Sequence, residues 1–230
     1  MMTNKMMVSN IEIEVQKKKI KNMYLSVLPP DGKVRMSVPV HAKDEVIKLF
    51  AITKIDWIKK QIHKFKKLEH PAEPEYISGE NHCIWGKPYR IEIRHNYKNG
   101  VELNGNKLLL TVRKSSTKEQ RERVIVEWYR EQLKKELPTL IEKWENIIGV
   151  KANFVGVKNM RTRWGSCNVN DKRVWVSLQL AKKPFHCLEY IVVHELVHLL
   201  EKNHSNVFWG YMDKFFPDWR AVKAELNGFM

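Results

Sequence analysis

Two histidines four residues apart with a glutamate directly after the first, His194-Glu195-Leu196-Val197-His198, share a face only if the backbone between them is α-helical. The neighbouring residues support such a helix. Leu188, Ile191, Val192, Leu196 and Leu199 form an apolar stripe that Leu200 widens. The pattern predicts a helix from Pro184 through about Lys202, with its apolar side buried and its histidine side open to a cleft. Glu195 then lies about 100° around the helix from His194, near anything the histidines hold but not bound to it.

That arrangement suits one kind of chemistry. Neutral imidazole is a good zinc ligand, and three protein ligands leave a coordination position open for water. A carboxylate beside the ion can take a proton from that water, which assigns Glu195 the role of general base. Two residues compete to be the third ligand. Glu201 shares the helical face of His194 and His198, but a straight helix carries it one turn past the ion. His204 follows Asn203, a residue that can end a helix in a left-handed conformation and turn the chain back. His204 is favoured, because imidazole suits zinc and the turn supplies the reach, leaving Glu201 to support a ligand. The expected cofactor is one Zn²⁺ per chain. The bare His-Glu-x-x-His pattern also arises by chance; a third histidine, an apolar helical frame and a preceding strand make it specific.

The rest of the chain limits the setting. Of its 230 residues 43% are hydrophobic, enough for a packed core in one large or two small domains. A net charge of +15 fits an anionic partner such as nucleic acid, though dispersed lysines also fit a merely solvated surface. Cys83, Cys167 and Cys187 make an odd count with no Cys-x-x-Cys pair, which argues against a disulfide framework and for a reducing compartment. Residues 1–14 lack a secretory h-region, and no apolar run reaches the length of a membrane span. A cytoplasmic protein with no membrane association is expected.

Residues 11–16 alternate as a strand does, and Pro29-Pro30-Asp31-Gly32 reads as a turn between strands. One amphipathic helix is predicted over residues 43–68, with Ile47, Phe50, Ile55, Ile58, Ile62 and Phe65 inside and Lys54, Lys59, Lys60, Lys64, Lys66 and Lys67 outside. Pro71 and Pro74 close it. Strands return over residues 82–113, with turns at Asn99-Gly100 and Asn104-Gly105. Ser116-Thr117-Lys118-Glu119 then opens a helix to about Ile148, bent or broken at Pro138 and closed by Gly149. Residues 152–158 and 173–180 read as strands joined by a polar loop. The expected fold is α+β, with a β-rich region over residues 1–115 and a catalytic domain over 116–230. Residues 173–178 are expected to be an edge strand flanking the cleft, with Trp175 and Ser177 placed to face substrate, although core packing suits Trp175 equally well.

The loop Arg161-Thr162-Arg163-Trp164-Gly165-Ser166-Cys167, the strand Val174-Trp175-Val176-Ser177-Leu178, the histidine motif, and Asn203-His204-Ser205 with Phe208-Trp209 together resemble the YgjP-like metallopeptidases, relatives of the SprT and WLM groups. The resemblance is specific over about residues 155–215. Glu201 stands where metzincins carry glycine, which argues against that family. The resemblance implies a compact zincin fold, His194, His198 and His204 as ligands, Glu195 as base, and a bacterial or archaeal cytosolic setting, where SprT and WLM relatives often act on proteins near DNA. Arg161 and Arg163 could bind substrate as planar multi-donors or pair structurally. Trp164 suits core packing, and Cys167 has no visible partner for nucleophilic catalysis. A zinc-dependent metallopeptidase acting on protein or peptide is therefore expected. The alternative is a zinc-dependent nucleotide phosphohydrolase (pyrophosphatase) using the same site. A module with only structural zinc is disfavoured by Glu195, for which such a site has no use.

Overall fold

Alternation over residues 11–16 becomes β2 (Ile11–Lys18) in the computed structural model, which describes residues 3–28, 31–67, 74–160 and 162–228. Met1, Met2, Pro29, Pro30, Pro71, Arg161 and the side chains of Lys64, Phe65, Lys66 and Lys67 lie outside what is described. The chain divides into two units, residues 1–73 and 74–230.

In the first unit β1 (Thr3–Val8), β2, β3 (Tyr24–Leu28) and β4 (Lys33–Pro39) form a sheet in the order β1-β2-β4-β3, with β2 and β4 parallel. Ile13, Val15, Val34, Met36 and Val38 meet Ile47, Ala51 and Ile58 in its core. The single helix expected over 43–68 is two helices, α1 (Asp44–Thr53) and α2 (Ile55–Lys67). The break at Lys54 follows the β-branched pair Ile52-Thr53, and the Thr53 hydroxyl donates to the Phe50 carbonyl at 2.8 Å. Both features weaken a helix end.

The second unit begins far earlier than residue 115. Strands β5 (Asn81–Ile84), β6 (Lys87–His95), β7 (Gly100–Asn104) and β8 (Lys107–Val112) form a sheet ordered β5-β6-β8-β7. Their inward residues Ile84, Ile91, Leu108, Leu110 and Val112 share one core with Ile125, Trp128, Tyr129 and Leu133 of α3 (Lys118–Ile148). The Tyr129 hydroxyl donates to the Cys83 carbonyl at 2.8 Å, tying helix to sheet. The change of character near residue 115 thus marks the start of α3, not a boundary between units. Thr117 caps α3 reciprocally with Gln120, one position beyond the Glu119 of the expected pattern. Pro138 neither breaks nor ends the helix, because Leu137, Leu140 and Ile141 around it are buried in the core. Gly149 closes it in the left-handed conformation, at φ 79°.

The catalytic-side elements follow: β9 (Phe154–Lys158), β10 (Gly165–Asn168), β11 (Arg173–Ser177), a short 3₁₀ helix (Leu178–Lys182), α4 (Phe185–Val197), α5 (Asn206–Phe215) and α6 (Trp219–Gly228). The loop expected between two strands itself contains β10, and the sheet order is β10-β11-β9. The β11 strand is therefore central, paired antiparallel to β10 and parallel to β9, and not the edge strand expected from its alternation. The fold is α+β. No helix among the described residues is long and apolar enough to cross a membrane.

Candidate metal centre

The α4 helix is apolar on nearly every side. Leu188, Ile191, Val192, Val193, Leu196 and Val197 are all buried, because α3, β10, β11, α5 and α6 surround it. Burial of each such side chain stabilises the fold by roughly 1.5–3 kcal/mol, so packing fixes the helix in place. Glu189 links it to α3, accepting from Lys143 Nζ at 2.7 Å and Trp144 Nε1 at 3.0 Å. Its polar break is His194, Glu195 and, at the C-terminal cap, His198.

The helix ends at Val197, about five residues before the expected end, and Asn203 is not among the residues with positive φ. The return of the chain is built differently. Tight turns bring the Leu199, Leu200 and Glu201 N–H groups onto the carbonyls of Leu196 and Val197. The Glu201 carboxylate accepts the Asn203 N–H at 3.1 Å, and Ser205 caps α5 by accepting the Phe208 N–H at 3.4 Å. His204 is delivered with its Nε2 3.0 Å from His194 Nε2. His194, His198 and His204 each offer a ligand atom within 4.8 Å of the others, a set that does not include Glu201. Glu201 instead meets the site through its carbonyl, which lies 3.2 Å from His198 Nδ1 and leaves Nε2 available as a ligand atom. His204 is stacked on Trp209 at 5.4 Å, which stacks on Trp219 at 4.4 Å beneath Lys223. His194 Nδ1 is buried without a partner among the described residues, against the rings of Tyr190 and Phe208.

Burial sets the electrostatics. It pushes His194 down to about 3, with His198, His204 and Lys223 adding to the effect, so the imidazole stays neutral. His198 and His204 are lowered too, again chiefly by burial. Neutral imidazoles at one point suit a borderline divalent ion. Burial raises the Glu195 carboxyl to about 8, while the Arg163 guanidinium pulls the other way. Both open onto a cleft of about 570 Å³ whose walls include Arg163, Gly165, Cys167, Asn168 and Lys202.

Of the sequence-predicted site residues, His194, Glu195, His198, His204 and Arg163 share this cleft. Trp175 and Ser177 do not. Ser177 is fully buried, its hydroxyl donating to the Met160 carbonyl at 3.2 Å. Trp175 packs on Phe154 of β9 under Lys158, in a groove shared with Leu137, Pro138 and Ile141. Alternation put both on one face of β11, but that face meets Phe154 and the Met160 carbonyl and not the cleft. Trp164 is partly buried against the core, as expected. Burial and the nearby Glu195 push the Cys167 thiol up to about 11, which leaves it a poor nucleophile. Gly165 was missed as a site residue. A glycine inside a strand signals a close approach, and here the approaching group is the Glu195 carboxyl.

Three neutral imidazoles converging beside a buried carboxyl place the chain among the metal-dependent hydrolases. Within that class the family model for the YgjP-like metallopeptidase domain matches residues 21–229, and the chain belongs to that family. Among solved structures it is loosely similar to the metallopeptidase zymogen abylysin of Pyrococcus abyssi, at 19% identity over 40% of this chain and 93% of that one, with a TM-score of 0.38. No curated protein matches it. Family membership implies a divalent metal ion.

Proposed function

We propose that the protein is a zinc peptidase in which His194, His198 and His204 hold the ion and Glu195 is the general base. The observation that carries this reading is the convergence of three imidazoles within 4.8 Å on the cleft that Glu195 also lines. When bound, zinc supplies a Lewis acid that polarises the scissile carbonyl and acidifies water. The chain's own residues do the rest. The Glu195 carboxylate accepts the proton of the attacking water and passes it to the leaving amine. Positive charge favours its ionised form against burial, and Arg163 supplies some of that charge. Arg163 and Lys202 also present donors to a substrate carbonyl or carboxylate.

Those two cations equally suit a phosphoanhydride, which is what favours the phosphohydrolase reading; the family supports the peptidase. In the first unit, Lys54, Lys59 and Lys60 are exposed around the half-exposed Trp57, which supports recruitment of nucleic acid.

The deciding experiment combines metal analysis with hydrolysis of casein and of nucleoside triphosphates. Glu195→Gln should keep its zinc and lose about 10²–10⁴-fold in kcat/KM for peptides. His204→Ala should lose zinc. Full zinc retention there would remove His204 from the ligand set, and turnover of triphosphates but not casein would establish the phosphohydrolase.

A further inference from the structure

We propose that His186, Cys187 and Glu225 form a second metal site, which takes a borderline divalent transition-metal ion such as Zn²⁺ and clamps α6 onto the first turn of α4. Apart from the three-histidine centre, this is the metal-compatible cluster of His, Cys and carboxylate side chains among the described residues. Its imidazole nitrogen, thiol sulfur and carboxylate oxygen all lie within 4.8 Å of one another. His186 Nε2 and Glu225 Oε2 are 2.7 Å apart, already drawn together across the two helices.

The donor set selects the ion. A thiolate beside an imidazole disfavours Mg²⁺ and Ca²⁺, which take oxygen ligands, and fits zinc and its neighbours. The site also has an inside and an outside. Cys187 is fully buried, whereas the His186 and Glu225 side chains keep 47% and 40% of their surface exposed. An ion can therefore enter from solvent between the two exposed ligands and reach the sulfur behind them, with water completing its coordination. A simple surface ion pair would explain His186 and Glu225 but not the sulfur placed behind both.

The chemistry balances without another reactant. Burial and the Glu225 charge hold the Cys187 thiol up at about 11, with Lys183 opposing them, so it is a thiol at neutral pH. Binding exchanges its proton for the metal and releases that proton to solvent. The location at the first turn of α4 favours the resulting thiolate through the helix dipole.

The clamp joins the two helices that support the first centre. The α4 helix carries His194 and Glu195; α6 carries Trp219 and Lys223, which back the Trp209 ring stacked on His204. The second ion adds no chemistry and stabilises that support.

Cobalt substitution of the full chain tests this, because Co²⁺ bound to a thiolate gives a near-ultraviolet charge-transfer band that a histidine-only site cannot. Titration with Co²⁺ should show a second equivalent and that band. His194→Ala should lose the other equivalent and keep the band. Cys187→Ser should abolish the band, while Cys167→Ser, altered in the first cleft, should retain it. His186→Ala and Glu225→Ala remove exposed side chains without opening the core, and each should weaken the band-forming site by about tenfold or more. These two variants decide the matter if Cys187→Ser does not fold. The proposal fails if no band develops, if Cys167→Ser removes it, or if both exposed-ligand variants bind with unchanged affinity.

Discussion

Gly165 on β10 lies so close to Glu195 on α4 that a Cβ at that position would stand 2.5 Å from Oε1 and 2.8 Å from Cγ. No real Cβ approaches another atom that closely, so any side chain there must push the carboxyl aside. Because α4, which carries Glu195, is packed against α3, α5, α6, β10 and β11, the side chain and not the backbone should yield. Gly165→Ala is therefore expected to fold and to keep its metal while losing about a hundredfold in kcat/KM, the cost of misplacing a catalytic group by about 1 Å. Metal analysis and peptide hydrolysis check it together; near-normal turnover would mean that the carboxyl's position is not critical.

This relationship also shows where sequence reading stops. The approach of His194 to His198 is written in a four-residue spacing, and local spacing is what a helix converts directly into proximity. The approach of His204 was expected through a left-handed Asn203, yet it is made by a helix ending early and by hydrogen bonds that the Glu201 and Ser205 side chains accept. The destination was legible and the route was not, because several turns can cover the same short distance. The placing of β11 was misread for another reason. Its alternation of Val174 and Val176 with Trp175 and Ser177 reports two faces but carries no information about which strands pair with it. The unit boundary likewise depended on long-range packing, as in the bond from Tyr129 to Cys83, which local composition does not record.

His82 should make stability depend on pH. It is buried against Tyr76, and burial lowers its pKa, with Lys182 adding to the effect and the nearby Glu80 opposing it. The folded form keeps the ring neutral, whereas the unfolded chain protonates it below about 6.5. Stability is therefore fully present above that pH and is lost as pH falls, with a slope approaching about 1.4 kcal/mol per pH unit for one proton. Thermal melts between neutral and mildly acidic pH should show a shallower decline in His82→Phe than in the wild type. The site histidines contribute with the same sign in both, so the difference isolates His82. Parallel declines would show that this ring does not govern the dependence.

The basic face of α1 and α2 is expected to act by neutralising phosphates if it recruits nucleic acid. Lys54, Lys59 and Lys60 are exposed there, beside a Trp57 that is 44% exposed. Changing the three lysines together to glutamate should weaken binding of a single-stranded oligonucleotide. It should also flatten the dependence on salt, by about 0.7 in log–log slope for each phosphate no longer neutralised on a single strand. Trp57→Ala should weaken binding with little change in that slope, because stacking releases no counterions. Unchanged affinity in the lysine variant would move the recruiting surface elsewhere.

The substrate is expected to lie along β10, the edge strand that lines the cleft. An antiparallel ladder alternates between residues that bond their partner strand and residues that face away. The Trp164 carbonyl accepts the Ser177 N–H at 2.8 Å, and Ser166 is paired with Trp175 and Asn168 with Arg173. That phase leaves the backbone groups of Gly165 and Cys167 pointing away from β11, on the edge that borders the metal centre. An extended peptide can satisfy those groups whatever its side chains, which holds a scissile carbonyl beside Glu195 with broad sequence tolerance. Cys167→Pro removes one outward N–H at a place where proline is sterically tolerable, since no ladder bond depends on it. It should fold, retain metal and lose about tenfold in peptide hydrolysis, the worth of one hydrogen bond to substrate. Cys167→Ser keeps the N–H and should cleave peptides at close to the wild-type rate, which separates the backbone's role from the thiol's. A phosphohydrolase would show the reverse sensitivity, with little response to Cys167→Pro and a large loss in Arg163→Ala. If Cys167→Pro folds and cleaves peptides like the wild type, substrate does not add to β10.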